Sequence, residues 1–95
     1  MNKIPHGLEE LPNVGPVIAG RLRRLGVKSP QDLYGRDPYQ MYDDACRLEN
    51  GRVDLCVLDV FLAAVDFVHG GRAKPWWKFT AQRKRRLKAR GKDEQ

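Results

Sequence analysis

The run Val53 to Val68, VDLCVLDVFLAAVDFV, limits most what this chain can fold into. It is broken by Asp54, Asp59 and Asp66 and falls short of the roughly 20 apolar residues a membrane-spanning helix needs. Val53, Cys56, Val57, Val60, Phe61, Ala64, Val65 and Val68 share one helical face, with Leu55, Leu58 and Leu62 beside it. A helix apolar over most of its circumference has to lie at the centre, covered by the rest of the chain. The alternative for its second apolar side is a seam for another copy. Ninety-five residues supply one small domain with a limited core.

The flanking segments supply the cover. GLEEL, 7–11, fits a short helix stopped by Pro12 and Asn13. Pro16 suits the first turn of a second helix, because its missing N–H costs nothing there. That helix runs to about Leu25, with Ile18, Leu22 and Leu25 at helical spacing, Ala19 beside them and Gly26 as C-cap. Ser29 and Asp32 cap a short third helix from Pro30 to about Tyr34. Asp37 caps a fourth from Pro38, whose inner face is Met41, Ala45 and Leu48, ended by Asn50 and Gly51. The run from Val53 is the fifth. HGGRAKP then breaks the chain, and Thr80 is placed to cap a last helix to about Arg90. That helix has almost no apolar face beyond Ala81, Leu87 and Ala89, which suggests fraying. No strand pattern and no long internal repeat appear.

Charge is unevenly spread. Residues 72–95 carry ten basic and two acidic side chains, against eight and ten in residues 1–71, for a net charge of +6. A basic tail on a slightly acidic domain suggests a polyanionic partner; the plain alternative is a solubilising tail. Cys46 and Cys56 are the only cysteines. With no apolar signal-peptide core in MNKIPHGLEEL, a cytoplasmic chain with reduced thiols is expected. Neither the thiols nor His6 and His69 have metal-ligand spacing. Asp43 and Asp44 are adjacent and diverge on a helix. No set of nucleophile, base and orienting group appears, so no enzyme is expected. Asp59 and Asp66 are expected to pair with an arginine from the second helix or the tail.

LPNVGP, Leu11 to Pro16, bends the chain tightly just before a helix. Asn13 and Gly15 accept unusual backbone angles. The first N–H groups of such a helix lack internal acceptors and sit at the positive end of its dipole. The groups expected to be available are those of Val14, Gly15, Val17 and Ile18. Gly15 has no side chain to keep a phosphate away, and such contacts ignore base identity.

Leu11, Pro12, Val14, Gly15, Pro16 and Ala19 resemble the helix-hairpin-helix motif. Asn13 stands in place of its first glycine. Val17 stands where DNA-gripping members often carry a basic or small polar residue. The likeness implies Val14 as an inward plug, and allows a monovalent cation at the hairpin carbonyls as the one cofactor. Over about residues 7–85 the chain resembles the bacterial pathogenicity-locus family, often labelled mitomycin-resistance proteins. Leu25, Gly26, Val27, Ser29, Asp32, Leu33, Gly35, Asp37, Pro38 and Tyr42 carry the likeness. Asp54, Cys56, Val57, Leu58, Val60, Phe61, Ala64, Val65 and Phe67 continue it, followed by the WW pair. Leu62 replaces a frequent arginine. The resistance label carries no mechanism.

The expected fold is all-α: a compact five-helix helix-hairpin-helix (SAM-like) domain over 1–71, in which segment 25–42 supplies a second, degenerate hairpin, and a Trp-containing basic tail over 72–95. The expected function is non-catalytic, sequence-independent binding of nucleic acid, DNA first. Its site would be Pro12, Asn13, Val14, Gly15, Val17 and Ile18, with Arg21 and Arg24, and with Arg83, Lys84, Arg86 and Arg90 in the tail. Trp76, Trp77 and Phe79 among basic residues suit either base stacking or closure of the core. The competing class is a protein adaptor or homodimer, docking through the second side of the central helix and the tryptophans. No membrane partner is expected.

Overall fold

A computed structural model describes residues 6–89. It is all-helical, with no strand among the described residues. Four α-helices form: α1 (Pro16–Arg24), α2 (Pro38–Leu48), α3 (Leu55–Val68) and α4 (Thr80–Ala89). The first and third of the five expected helices are single 3₁₀ turns, Leu8–Glu10 and Pro30–Leu33. The physical reasons are local. Pro12 forces Leu11 into extended backbone, ψ 148°. At the other turn, the Asp32 carboxylate takes the N–H groups of Lys28 (2.9 Å) and Ser29 (3.2 Å) and fixes a start, while Gly35 at φ 77° ends the helical path. A third 3₁₀ turn, Trp76–Phe79, leads into α4.

α3 is the centre, as its composition requires. Every residue from Val57 to Ala64 is buried, including Leu58 (0 % exposed) and Leu62 (6 %). The second apolar side of this helix is therefore covered by its own chain and is not a free seam. α2 packs on it through Tyr39, Met41, Tyr42 and Ala45. Leu48, expected on that inner face, is 58 % exposed. It has the right helical phase, but it lies in the last turn, beside a shallow hollow lined by Arg24, Leu25, Asp44 and Arg47.

The basic segment adds to the same core. Phe79 and Leu87 are buried with the apolar residues of α3. Asp59, fully buried on α3, accepts hydrogen bonds from Thr80 Oγ1 (2.8 Å), Arg83 Nε (3.0 Å) and Arg83 Nη2 (3.2 Å). α4 is thus held by one buried ion pair and Leu87, with Phe79 anchoring the turn just before it, which is what its sparse apolar face required.

The ends of α1, α2 and α3 follow one pattern. After α1 the N–H groups of Val27 and Gly26 return to the carbonyls of Leu22 and Arg23, with Gly26 at φ 89°. The same pair of bonds closes α2 at Asn50 (φ 57°) and Gly51, and α3 at Gly70 (φ 99°) and Gly71. In each case a residue with positive φ satisfies carbonyls that the helix end leaves open.

Candidate nucleic-acid interface

The chain reverses between Leu8–Glu10 and α1 through a four-residue turn. The Val14 N–H donates to the Leu11 carbonyl at 3.2 Å, Pro12 occupies the second position and Asn13 the third, at φ 68°. A turn of this kind favours Pro then a residue that tolerates positive φ, which Asn does. Val14 then faces inward, 5 % exposed. Its N–H, expected to be available, is consumed by the turn itself.

The first regular bond of α1 runs from Ala19 N–H to Gly15 O at 2.9 Å. The N–H groups of Gly15, Val17 and Ile18 have no acceptor among the described residues, and Pro16 has none to offer. Ile18 packs against the core, whereas Val17 is 71 % exposed. A Cβ built on Gly15 meets nothing within 4 Å. The fold itself therefore does not require glycine there.

The same backbone path occurs a second time, with a different outcome. Tyr34 (φ −60°, ψ 131°) and Gly35 (φ 77°) make the turn, and Arg36 N–H returns to Leu33 O at 3.1 Å. Pro38 opens α2, and Met41 N–H bonds Asp37 O at 2.9 Å. The residue in the place of Gly15 is Asp37. Its carboxylate accepts the Tyr39 N–H at 2.9 Å. A carboxylate of the chain thus occupies the helix start at α2, while the start of α1 stays open. This turn lies in segment 25–42, where a second, degenerate hairpin was expected; its side chains differ from those of the first turn.

Two cations stand one and two turns along α1, and neither is free. Arg21 forks onto Glu49, at 2.7 Å from Nε and 3.1 Å from Nη2, and Arg24 lies 3.6 Å from the same carboxylate. The Glu49 hydrogen bonds push the Arg21 guanidinium above its ordinary range, and the Arg21 hydrogen bond holds Glu49 below the usual carboxylate range. Glu49 carries no local sequence signal, since its partners lie in another helix.

The remaining predicted residues divide. Arg83 is buried on Asp59 and cannot face a ligand, so its place in the expected site is corrected: the apolar core draws in the one arginine that an interior carboxylate can pair with. Lys84 is exposed, as are Arg85 and Lys88. Arg86 is exposed and lies over the Tyr39 ring, 4.8 Å from its centre. Arg90 lies outside the described residues. Pro12 is half-buried beside the turn.

The Asn13 side chain joins the two halves of the candidate site. Its Nδ2 donates to the Lys74 carbonyl at 2.7 Å. Lys74 also lies 3.8 Å from Asp66 and 5.6 Å from the Phe79 ring centre. The two tryptophans behave differently. Trp76 packs partly buried against the core, whereas Trp77 is 59 % exposed and meets Trp76 edge to face at 5.6 Å.

A family described as the Cdd1 pathogenicity locus matches residues 2–85. The chain is 38 % identical over 86 residues to "Mitomycin resistance protein McrB" of Streptomyces lavendulae, covering 90 % of this chain and 82 % of that protein. No solved structure matches it. The turn and α1, the second turn, the central helix and the tryptophan pair all lie within the matched span, and the chain belongs to the Cdd1 pathogenicity-locus family.

Proposed function

We propose that this protein binds nucleic acid, DNA first, without catalysis and without reading sequence, through a helix-hairpin-helix at Leu11–Ile18. The observation that carries the reading is the contrast between the two helix starts. At α2 the Asp37 carboxylate takes the anion position. At α1 the Gly15, Val17 and Ile18 N–H groups have no acceptor among the described residues, and a Cβ on Gly15 would meet nothing within 4 Å. A phosphate oxygen is the ligand such a start accepts, helped by the helix dipole. Lys84, Arg85 and Lys88 on α4 add exposed positive charge, which supplies salt-dependent, sequence-blind attraction.

The adaptor reading draws on the second side of the central helix together with the tryptophans, and on that side Leu58 and Leu62 are buried. Exposed Trp77 and the basic tail remain available to it.

The test is a titration of labelled duplex DNA at several salt concentrations. Gly15→Val places its side chain in open space at an ordinary backbone angle, φ −100°, so the fold is expected to survive. The expected result is weaker binding with an unchanged salt slope, because backbone N–H groups release few counterions. The triple change of Lys84, Arg85 and Lys88 to Ala should flatten the slope by up to about 0.9 for each phosphate that is no longer neutralised. A parent chain that ignores DNA at moderate salt removes the reading.

A further inference from the structure

Trp77 is the one large aromatic side chain that the fold positions firmly and leaves mostly uncovered among the residues of its turn. In a 3₁₀ turn residues three apart share a side. Trp76 and Phe79 therefore face the core together, which turns Trp77 and Lys78 outward. Trp76 supports the Trp77 ring edge to face. The turn is anchored on one side by buried Phe79 and on the other by the bond from Asn13 to Lys74. An ordered, exposed indole on a small domain has no role in the core it stands beside.

Its position gives it one. The Asn13–Lys74 bond ties this turn to the turn that opens α1. Trp77 is three residues from Lys74, so the backbone keeps it within about 11 Å of that link. Asn13, which makes the link, immediately precedes Val14 and Gly15 at the start of α1, where Val17 is exposed. Lys74 and Lys78 flank the tryptophans and are exposed. Successive phosphates on a nucleic-acid strand are separated by a base on a flexible sugar. A surface that offers N–H groups for a phosphate, a nearby indole face and cationic edges is complementary to that repeat. A paired base is stacked on both faces inside a duplex and cannot lie on the indole, whereas an unpaired base can.

We propose that Trp77 stacks on an unpaired base of single-stranded DNA whose phosphate is held at the start of α1. This rests on the nucleic-acid reading above and names the form of the partner. Lys78 contributes charge beside the stacked base, and Trp76 positions the Trp77 ring.

The experiment uses the full chain and three labelled probes: a short oligothymidylate, an abasic strand of the same length, and a blunt duplex. Anisotropy gives affinity, and circular dichroism confirms that each variant is folded. The parent is expected to prefer oligothymidylate to the abasic strand by about five- to hundredfold, the range of one stacked base. Trp77→Ala should abolish that preference and leave duplex affinity unchanged, and Trp77→Phe should restore part of it. Equal binding of the abasic strand by the parent, or full oligothymidylate affinity in Trp77→Ala, overturns the inference while leaving duplex binding intact. Failure of all three probes to bind removes the nucleic-acid reading, and this inference with it.

Discussion

Arg83 Nε lies 3.0 Å from Asp59 Oδ1, joining the first half of α4 to the middle of α3 in the interior of the protein. Thr80 Oγ1 holds the second carboxylate oxygen together with Arg83 Nη2. A charge inside a core is tolerated only when its partners are present, and here all of them come from α4. Removing one partner leaves the other buried and unpaired. Arg83→Ala and Asp59→Ala should each cost about 3–5 kcal/mol, a large part of the stability of a small domain. The double change Asp59→Leu with Arg83→Met should cost much less, because no lone charge remains. Urea unfolding of the four chains checks this; a large loss in the double variant that equals the sum of the single losses contradicts it.

Tyr42 carries a second buried polar contact, its hydroxyl donating to the Val53 carbonyl just before α3. Burial pushes the Tyr42 phenol up to about 12 from its ordinary 10.0. A group whose folded value is raised stabilises the fold below its unfolded value and loses that contribution as pH rises through the folded one. Stability should therefore fall between about pH 10 and 12. Tyr42→Phe should lower stability at neutral pH by about 1 kcal/mol and make this alkaline loss smaller. Alkaline unfolding curves of both chains, with phenolate absorbance, give the comparison.

These two contacts mark how far the sequence could be read. The central helix was legible because its apolar residues exceed what one face can hold, and the ends at Gly26, Asn50 and Gly51 follow from local chemistry. Local pattern also placed Pro16 and Pro38 at helix starts. It overcounted helices where a proline or a glycine allows only one turn, at Leu8–Glu10 and Pro30–Leu33. The tail was legible in part, since closure of the core at Phe79 was one of its two readings. Its charge density suggested a solvated arm, but Arg83, Phe79 and Leu87 are spaced to meet α3. A tail arginine was one expected partner of Asp59, but nothing local selects Arg83 among the tail's arginines, and nothing near Arg21 announces Glu49. Both pairs are products of packing. The candidate site was legible at Asn13 and Gly15, whose backbone roles are local, and at Asp37, whose capping of α2 is local too. The sequence around Trp77 allowed both base stacking and closure of the core, and the bond to Lys74 was illegible because it depends on what the fold brings alongside.

Asn13 has two roles that substitution separates. Its backbone needs positive φ, and its side chain bonds Lys74 O. Asn13→Gly keeps the turn and removes the bond. Asn13→Ala removes the bond and adds roughly 1–2 kcal/mol of left-handed strain. The alanine variant should therefore unfold at lower urea than the glycine variant. In both, amide exchange in the residues around Lys74 should quicken, since the link to the first turn is gone. Unchanged exchange there in Asn13→Gly contradicts the anchoring role assigned to the side chain.

On the nucleic-acid reading proposed above, Glu49 competes with phosphate for Arg21 and Arg24. Its carboxylate engages Arg21 through two hydrogen bonds and attracts Arg24 at 3.6 Å. An exposed carboxylate in that position repels a polyanion and occupies the arginine fork. Glu49→Gln should strengthen DNA binding by about twofold to tenfold and steepen its salt dependence, as Arg21 and Arg24 become available to phosphates. The same release should follow protonation. The Arg21 hydrogen bond holds Glu49 below its ordinary value of 4.5, so its part in the ion pair is present above that value and lost as pH falls through the lowered one. The parent chain should gain DNA affinity only on entering that acidic window, and Glu49→Gln should show no such gain. A carboxyl NMR titration of Glu49 locates the window. If Glu49→Gln binds DNA no more tightly than the parent, Arg21 and Arg24 face the wrong way to contribute, and the site is confined to the start of α1 and the exposed cations of α4.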